Sequence, residues 1–330
     1  MLLNNKQCDL CSETAFELVG TLDRHDRPLE TDLCLRCGLV SHRHIPTAAE
    51  LAEFYATRYR REYHAEDTPS ARRVFNDWRN AQRIHKQLAR WLMPATDVIE
   101  VGAGVGCTVK LFERQGYQAT GVEPSAGFQA YAAQQLQAQV ARGFLEDIVP
   151  EPNYDLALLV HVIEHFRSPR EALQHLHRMV RPAGLLYVEC PNLGEFAIRG
   201  KLFHFAHVHN FTPATLEMLA AHCGFQLVNW FSRPRDPALQ ALFRRVGQPN
   251  VDIDSGSVAA TRAALRRYNT ATYYFRWQYL TARVAKLARR MAGHVAASPW
   301  ERKLVASCTA SGQPASGGPL PTINQEANAA

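Results

Sequence analysis

Between residues 97 and 232 the chain alternates strand-like and helix-like segments, and this alternation constrains the fold more than any other feature. DVIEVGAG reads as an apolar strand entering a glycine turn. TVKLFERQG is a helix stopped by Gly116, and YQATGVEPS is a second strand. The series continues through AGFQAYAAQQLQAQ, YDLALLV, SPREALQHLHRMVRPAG, LLYVECPN, TPATLEMLAAHCGF and QLVNWFS. Ser168 and Thr212 occupy N-cap positions, Pro213 a first turn and Gly224 a stop. Strands alternating with helices imply a parallel sheet covered on both faces. Sheets of this kind gather ligands in the crevice at the carboxyl ends of their strands.

Upstream lie two cysteine pairs, Cys8-x2-Cys11 and Cys34-x2-Cys37, separated by 22 residues with polar turn material. The N-terminus lacks the charged start and apolar core of a secretory signal, so a reducing cytoplasm is expected. In that compartment paired cysteines bind metal rather than form disulfides. Residues 1–46 therefore read as a zinc ribbon, four thiolates around one structural ion that supplies much of the folding energy. Residues 47–92 read as helices forming a linker or lid. Tyr55, Tyr59 and Tyr63 recur every four residues on one face, for packing or for covering a substrate.

The net charge of +6 is concentrated downstream: residues 233–303 hold 14 Arg and Lys against 4 Asp and Glu. Residues 233–305 read as a basic helical extension, either a solvated face or a surface for phosphates, nucleic acid or an anionic membrane. Residues 306–330, rich in small residues, Pro and Gly, read as a disordered tail. No run of 18 apolar residues suggests a membrane span.

The glycine turn reads Glu100-Val-Gly102-Ala103-Gly104-Val-Gly106, and the next strand ends in Glu123. Glycines let the backbone turn tightly and approach a ligand, and a carboxylate at the neighbouring strand tip accepts hydrogen bonds from ribose hydroxyls. With YDLALLVHVIEH and RPAGLLYVECPN following, the span of about 95–230 resembles class I S-adenosylmethionine-dependent methyltransferases. It is similar to the subgroup with the ubiquinone-pathway O-methyltransferases. CLRCGLV and IPTAAELAEFYATRY resemble that subgroup's members with an N-terminal zinc-binding domain, among them C-methyltransferases of deoxysugar nucleotides. The resemblance implies a Rossmann-like α/β domain over residues 93–232. Gly102, Ala103, Gly104 and Gly106 would face the cofactor's methionine part, and Glu100 its ammonium. Glu123 would hold the ribose, Glu146 or Asp147 would lie near the adenine, and His161 would line the methionine part.

Two histidine-rich stretches follow the fourth and fifth strands, HVIEHF (161–166) and FHFAHVHNFTP (203–213). In small-RNA 2′-O-methyltransferases a pattern like E-x2-E-H with a later His binds a divalent ion. Glu164, His165 and His207 match it here, with His161 in place of the first Glu. In the sugar C-methyltransferases one His from each stretch serves the reaction, and His165 and His207 match those. Three roles stay open for Glu164 and His165: a tie within the loop, acid–base catalysis, or a second divalent metal. His207, aided by His165, is expected to take the acceptor's proton. The acceptor is expected to be a small hydroxylated molecule, a nucleotide- or glycan-linked sugar foremost. RNA methylation through the basic helices and a non-catalytic adaptor are the alternatives.

Overall fold

The structure, a computed structural model, describes residues 6–54, 68–196, 203–247, 252–254, 256–267, 280–281, 284, 297–310 and 318–323. In chain order its elements are β1 (Phe16–Leu22), β2 (Pro28–Cys34), β3 (Val40–His42), α1 (Ala48–Glu53), α2 (Ala71–Leu88), β4 (Asp97–Val101), α3 (Cys107–Arg114), β5 (Gln118–Glu123), α4 (Ala126–Gln134), β6 (Val140–Arg142), β7 (Tyr154–Val160), α5 (Pro169–Met179), β8 (Val180–Pro191), α6 (Leu193–Phe196), β9 (His209–Asn210), α7 (Pro213–His222), β10 (Phe225–Trp230), β11 (Ala238–Arg245) and α8 (Gly256–Arg266). Seven strands form one sheet in the order β10-β11-β8-β7-β4-β5-β6, and four form a second, β1-β2-β3-β9. The chain divides into two compact units. No helix among the described residues is long and apolar enough to cross a membrane.

One unit comprises residues 53–159, 178–184 and 281–330. Here β4 pairs in parallel with β5 and β7, and β5 with β6. Leu156, Ala157, Leu158 and Leu159 are all buried, which requires cover on both faces and explains an unbroken apolar run. Helix α2 buries Val74, Trp78, Ala81, Ile84 and Leu88, a stripe at three- and four-residue spacing. The expectation of a disordered tail from residue 306 is corrected only for the described residues 306–310 and 318–323. Residues 297–309 are helical, and Trp300 of that helix packs edge-on against Phe75 and Trp78, at ring-centroid distances of 5.1 and 6.2 Å. Tyr131 donates to Glu301 Oε1 at 2.6 Å. Further on, Val149 N donates to Thr322 O at 2.9 Å, and Ile323 bridges Ile148. Apolar and aromatic anchors hold these segments, although small and polar residues dominate the composition between them.

The other unit comprises residues 1–52, 160–177 and 185–280. The reading of 233–305 as helices holds at residues 256–266 and 297–305 and is corrected at residues 238–245. Residues 238–245 form β11, antiparallel to both β8 and β10, with Leu239, Ala241, Leu242 and Phe243 buried. An inner strand buried on both faces shows no alternation, so its sequence does not separate it from a helix. The N-terminal sheet is completed by β9, 167 residues along the chain from β3, through the pairs Val40↔Asn210 and Ser41↔His209. Helix α8, also from the basic stretch, packs on this module: Ser257 Oγ donates to Cys37 O at 2.7 Å, and Arg262 pairs with Glu17 at 2.6 Å. Tyr55, Tyr59, Tyr63 and nearly all of the aromatic basic stretch 268–296 lie outside the described residues.

Candidate cofactor turn, cysteine cluster and histidine cluster

Strand β4 delivers Glu100 into the glycine turn, and α3 begins at Cys107, directly after it. Gly102, Gly104 and Gly106 all hold positive φ, at 70°, 55° and 76°. Two of them are needed for different reasons. A Cβ on Gly106 would lie 2.7 Å from Ala132 Cβ, so this glycine lets α4 approach. A Cβ on Gly104 would meet nothing within 4 Å, so this glycine borders open space. The Gly104 amide donates to Glu123 Oε2 at 2.9 Å, and Ser125 N to Glu123 Oε1 at 2.8 Å. Both carboxylate oxygens are thereby aimed by backbone amides, and each retains acceptor capacity.

Glu100 is buried, and its Oε2 has no hydrogen-bond partner among the described residues. Burial pushes its carboxyl up to about 8 against the pull of Thr108. A buried carboxyl with a spare oxygen, leading into a turn in which Gly104 borders open space, fits an ammonium-bearing cofactor. Asp147 is buried and its Oδ2 accepts from Phe144 N at 2.8 Å, which closes the loop after β6. Glu146 beside it is exposed. Ala103 is buried within the turn.

Cys8, Cys11, Cys34 and Cys37 bring four Sγ atoms within 4.8 Å of one another, with Cys8–Cys37 and Cys11–Cys34 at 3.5 Å. Tetrahedral zinc with bonds of about 2.3 Å separates its sulfurs by about 3.8 Å. These four residues therefore fit zinc and would hold it in a closed, structural site.

The histidine stretches meet in a second cluster. Glu164, His165 and His207 each place a ligand-capable atom within 4.8 Å of the others. Glu164 Oε1 lies 4.0 Å from His165 Nε2, 4.0 Å from His207 Nε2 and 3.5 Å from His161 Nδ1. Glu164 is buried, and neither carboxylate oxygen has a hydrogen-bond partner among the described residues. His165 Nδ1 donates to Ala206 O at 2.8 Å, which leaves Nε2 as the lone-pair nitrogen toward the cluster. Burial holds His165 below its ordinary range, although the charge of Glu164 opposes this. Burial, joined by repulsion from His165, His204 and His161, pushes His207 further down. Two neutral imidazoles beside a carboxylate without hydrogen bonds can accept protons or bind a cation.

His161, expected against the cofactor, has its ring between two carboxylates. Its Nδ1 faces Glu164, and its Nε2 lies 3.6 Å from Glu189 Oε1. Desolvation works against its charge, but the two carboxylates that face it, Glu164 and Glu189, outweigh it and push the ring up to about 10. Its φ of 56° is rare for a residue with a side chain. Glu189 is the functional candidate that sequence reasoning missed. It is buried in β8 and accepts from Tyr187 at 2.9 Å. A lone charge inside LLYVEC was the available signal.

Residues 70–229 match the family model described as a methyltransferase domain. A C-methyltransferase, NovU, of Streptomyces niveus is 26% identical over 215 residues, covering 61% of this chain and 47% of that protein. A ubiquinone biosynthesis O-methyltransferase of Rhodopseudomonas palustris (strain BisA53) is 30% identical over 102 residues, covering 29% of this chain and 40% of that protein. The chain thus spans less than half the length of these curated relatives. The solved structure of the Burkholderia thailandensis 1,6-didemethyltoxoflavin-N1-methyltransferase, with 1,6-didemethyltoxoflavin and S-adenosylhomocysteine bound, is 20% identical over 66% of this chain and 96% of that one, with a TM-score of 0.46. Residues 70–229, just under half of the chain, match the methyltransferase domain model, and the strands they contribute lie in a mostly parallel, Rossmann-like seven-stranded sheet.

Proposed function

We propose that the chain transfers the methyl group of S-adenosylmethionine to a small hydroxylated acceptor, a sugar or sugar nucleotide, at oxygen or carbon. The observation that carries this reading is the glycine turn, where Gly104 borders open space and its amide holds the Glu123 carboxylate, and where the strand leading in carries Glu100 with a spare oxygen. Bound there, the sulfonium cofactor would supply an activated methyl group with a good leaving group. The chain's own residues would then bind, orient and deprotonate. Glu100 would face the ammonium, Glu123 the ribose, and Glu146 or Asp147 the adenine. Gly102, Ala103, Gly104 and Gly106 would carry the backbone past the methionine part, with His161 alongside. His207, neutral in its buried cluster, would take the acceptor's proton, and His165, its tautomer set by Ala206, would aid it. The sugar acceptor is supported by the resemblance of the two histidine stretches to those of deoxysugar C-methyltransferases, with His165 and His207 at the matching positions.

One observation favours a second reading of the same cluster. Both oxygens of Glu164 are buried without hydrogen bonds, which is costly for a carboxylate even with the His161 ring 3.5 Å away. A divalent ion held by Glu164, His165 and His207 would remove the cost, leave an open position, and lower the acceptor hydroxyl's pKa.

The test is methyl transfer from labelled S-adenosylmethionine to a panel of sugar nucleotides, read by mass spectrometry. The wild type is expected to give a methylated product, and His207→Ala to lose it while keeping cofactor affinity. Full turnover by His207→Ala removes that residue from the reaction. Full turnover in wild-type protein treated to keep only its zinc removes the second ion.

A further inference from the structure

The two histidine loops are tied to the cysteine module by side chains that are not its thiolates. Asp9 lies inside the first knuckle, between Cys8 and Cys11. Its Oδ1 accepts from Ser168 Oγ at 2.6 Å, and its Oδ2 from Arg170 N at 2.8 Å. Ser168 Oγ in turn accepts from Glu171 N at 3.1 Å. The Arg170 guanidinium donates to the Leu10 carbonyl of the same knuckle. The first knuckle thus completes the N-terminal cap of α5, just after His165.

The second knuckle reaches the other loop. Strand β3 follows Cys37 closely and pairs with β9, beside His207. His42 N donates to Val208 O at 3.0 Å, and its buried ring donates through Nε2 to Phe205 O at 3.1 Å. The carbonyl of the next residue, Ala206, is the one that fixes the His165 tautomer. His209 Nδ1 bonds Phe166 O at 3.2 Å and joins the two loops.

Ties that merely anchored a small module could fall anywhere along α5 or the later loop. Those of Asp9 fall on Ser168 and Arg170, three and five residues after His165, and those of His42 on Phe205 and Val208, two before and one after His207. An ion bridging the knuckles would fix the distance between their two attachment points.

We propose that Asp9 and His42 are positioning residues for the reaction, through which the metal-bound ribbon sets the ring orientation and spacing of His165 and His207. The proposal rests on the reading of that cluster as acceptor-side machinery.

The test uses the zinc-loaded full chain labelled with 15N-histidine, whose imidazole 1H–15N spectra report tautomer and surroundings. Wild-type His165 is expected in the Nδ1–H form. Asp9→Ala is expected to shift the His165 ring signals, and His42→Leu those of His207. Zinc content and S-adenosylhomocysteine affinity by calorimetry are expected to stay at wild-type levels. Asp9→Asn, which keeps an acceptor, is expected to restore most of the His165 signature. On an acceptor from the methyl-transfer panel, kcat should fall by on the order of 10²-fold with KM kept, the scale of a misplaced catalytic group. Wild-type ring signals in both Asp9→Ala and His42→Leu would overturn the proposal. Should Asp9→Ala lose zinc or fail to fold, Ser168→Ala cuts the same tie from the other side and is read the same way. A wild type without methyl product contradicts the enzymatic reading instead, and the ring spectra do not depend on that outcome.

Discussion

The two glycines Gly104 and Gly106, with Val105 between them, make different predictions. Gly106→Ala drives a methyl group into Ala132 and should cost about 1–3 kcal/mol of stability, read as a lower Tm. Gly104→Ala meets no atom, so its stability cost is roughly the 1–2 kcal/mol of left-handed strain. It fills the open space, however, and should weaken S-adenosylhomocysteine binding by about tenfold or more. Glu100 gives a pH dependence. Its carboxyl, raised to about 8 by burial, must lose a proton to face an ammonium. A ligand that favours the ionised form binds better as that form becomes populated. Cofactor affinity should therefore rise with pH from about 6 to 8 and then level off, with proton release on binding that calorimetry in buffers of different ionisation enthalpy detects. Glu164→Gln separates structure from chemistry. A carboxylate that ties the loop should lower Tm when replaced. A carboxylate without hydrogen bonds, as here, held only by the His161 ring 3.5 Å away, should lower Tm of the zinc-loaded protein little. The glycine turn was legible because φ and close approach leave a residue-type signature. Asp9, His42 and Glu189 were not, because their roles depend on partners distant in sequence.

Elements were legible where periodicity was strong. The amphipathic stripe of α2 and the apolar runs of β4 and β7 announce themselves. Strand β11 does not, because an inner antiparallel strand buried on both faces has the same apolar density as a helix. Strand β9 is too short to carry a pattern and is defined by the strand it joins. That pairing has a measurable consequence. Chelating zinc, or Cys34→Ser, should deprotect the amides of β3 and β9 in hydrogen exchange while β4 and β5 keep theirs. Equal loss across all four would mean that the ribbon and the methyltransferase sheet unfold as one.

At the scale of the molecule, the sequence divides the chain by composition, whereas the structure divides it by packing. The basic stretch supplies β11 to the main sheet and α8 to the ribbon, so charge is a poor guide to domain limits. Residues 297–309 and 318–323 likewise return to the methyltransferase sheet's unit through a few aromatic and apolar contacts. All of this surrounds one claim, that the glycine turn with Glu100 and Glu123 holds S-adenosylmethionine. Calorimetric titration of S-adenosylhomocysteine into the full chain tests it most directly. The account predicts saturable binding that Glu123→Ala abolishes and His207→Ala preserves. A wild-type chain that gives no binding heat across buffers and temperatures, or a Glu123→Ala variant that binds as tightly as wild type, would contradict it.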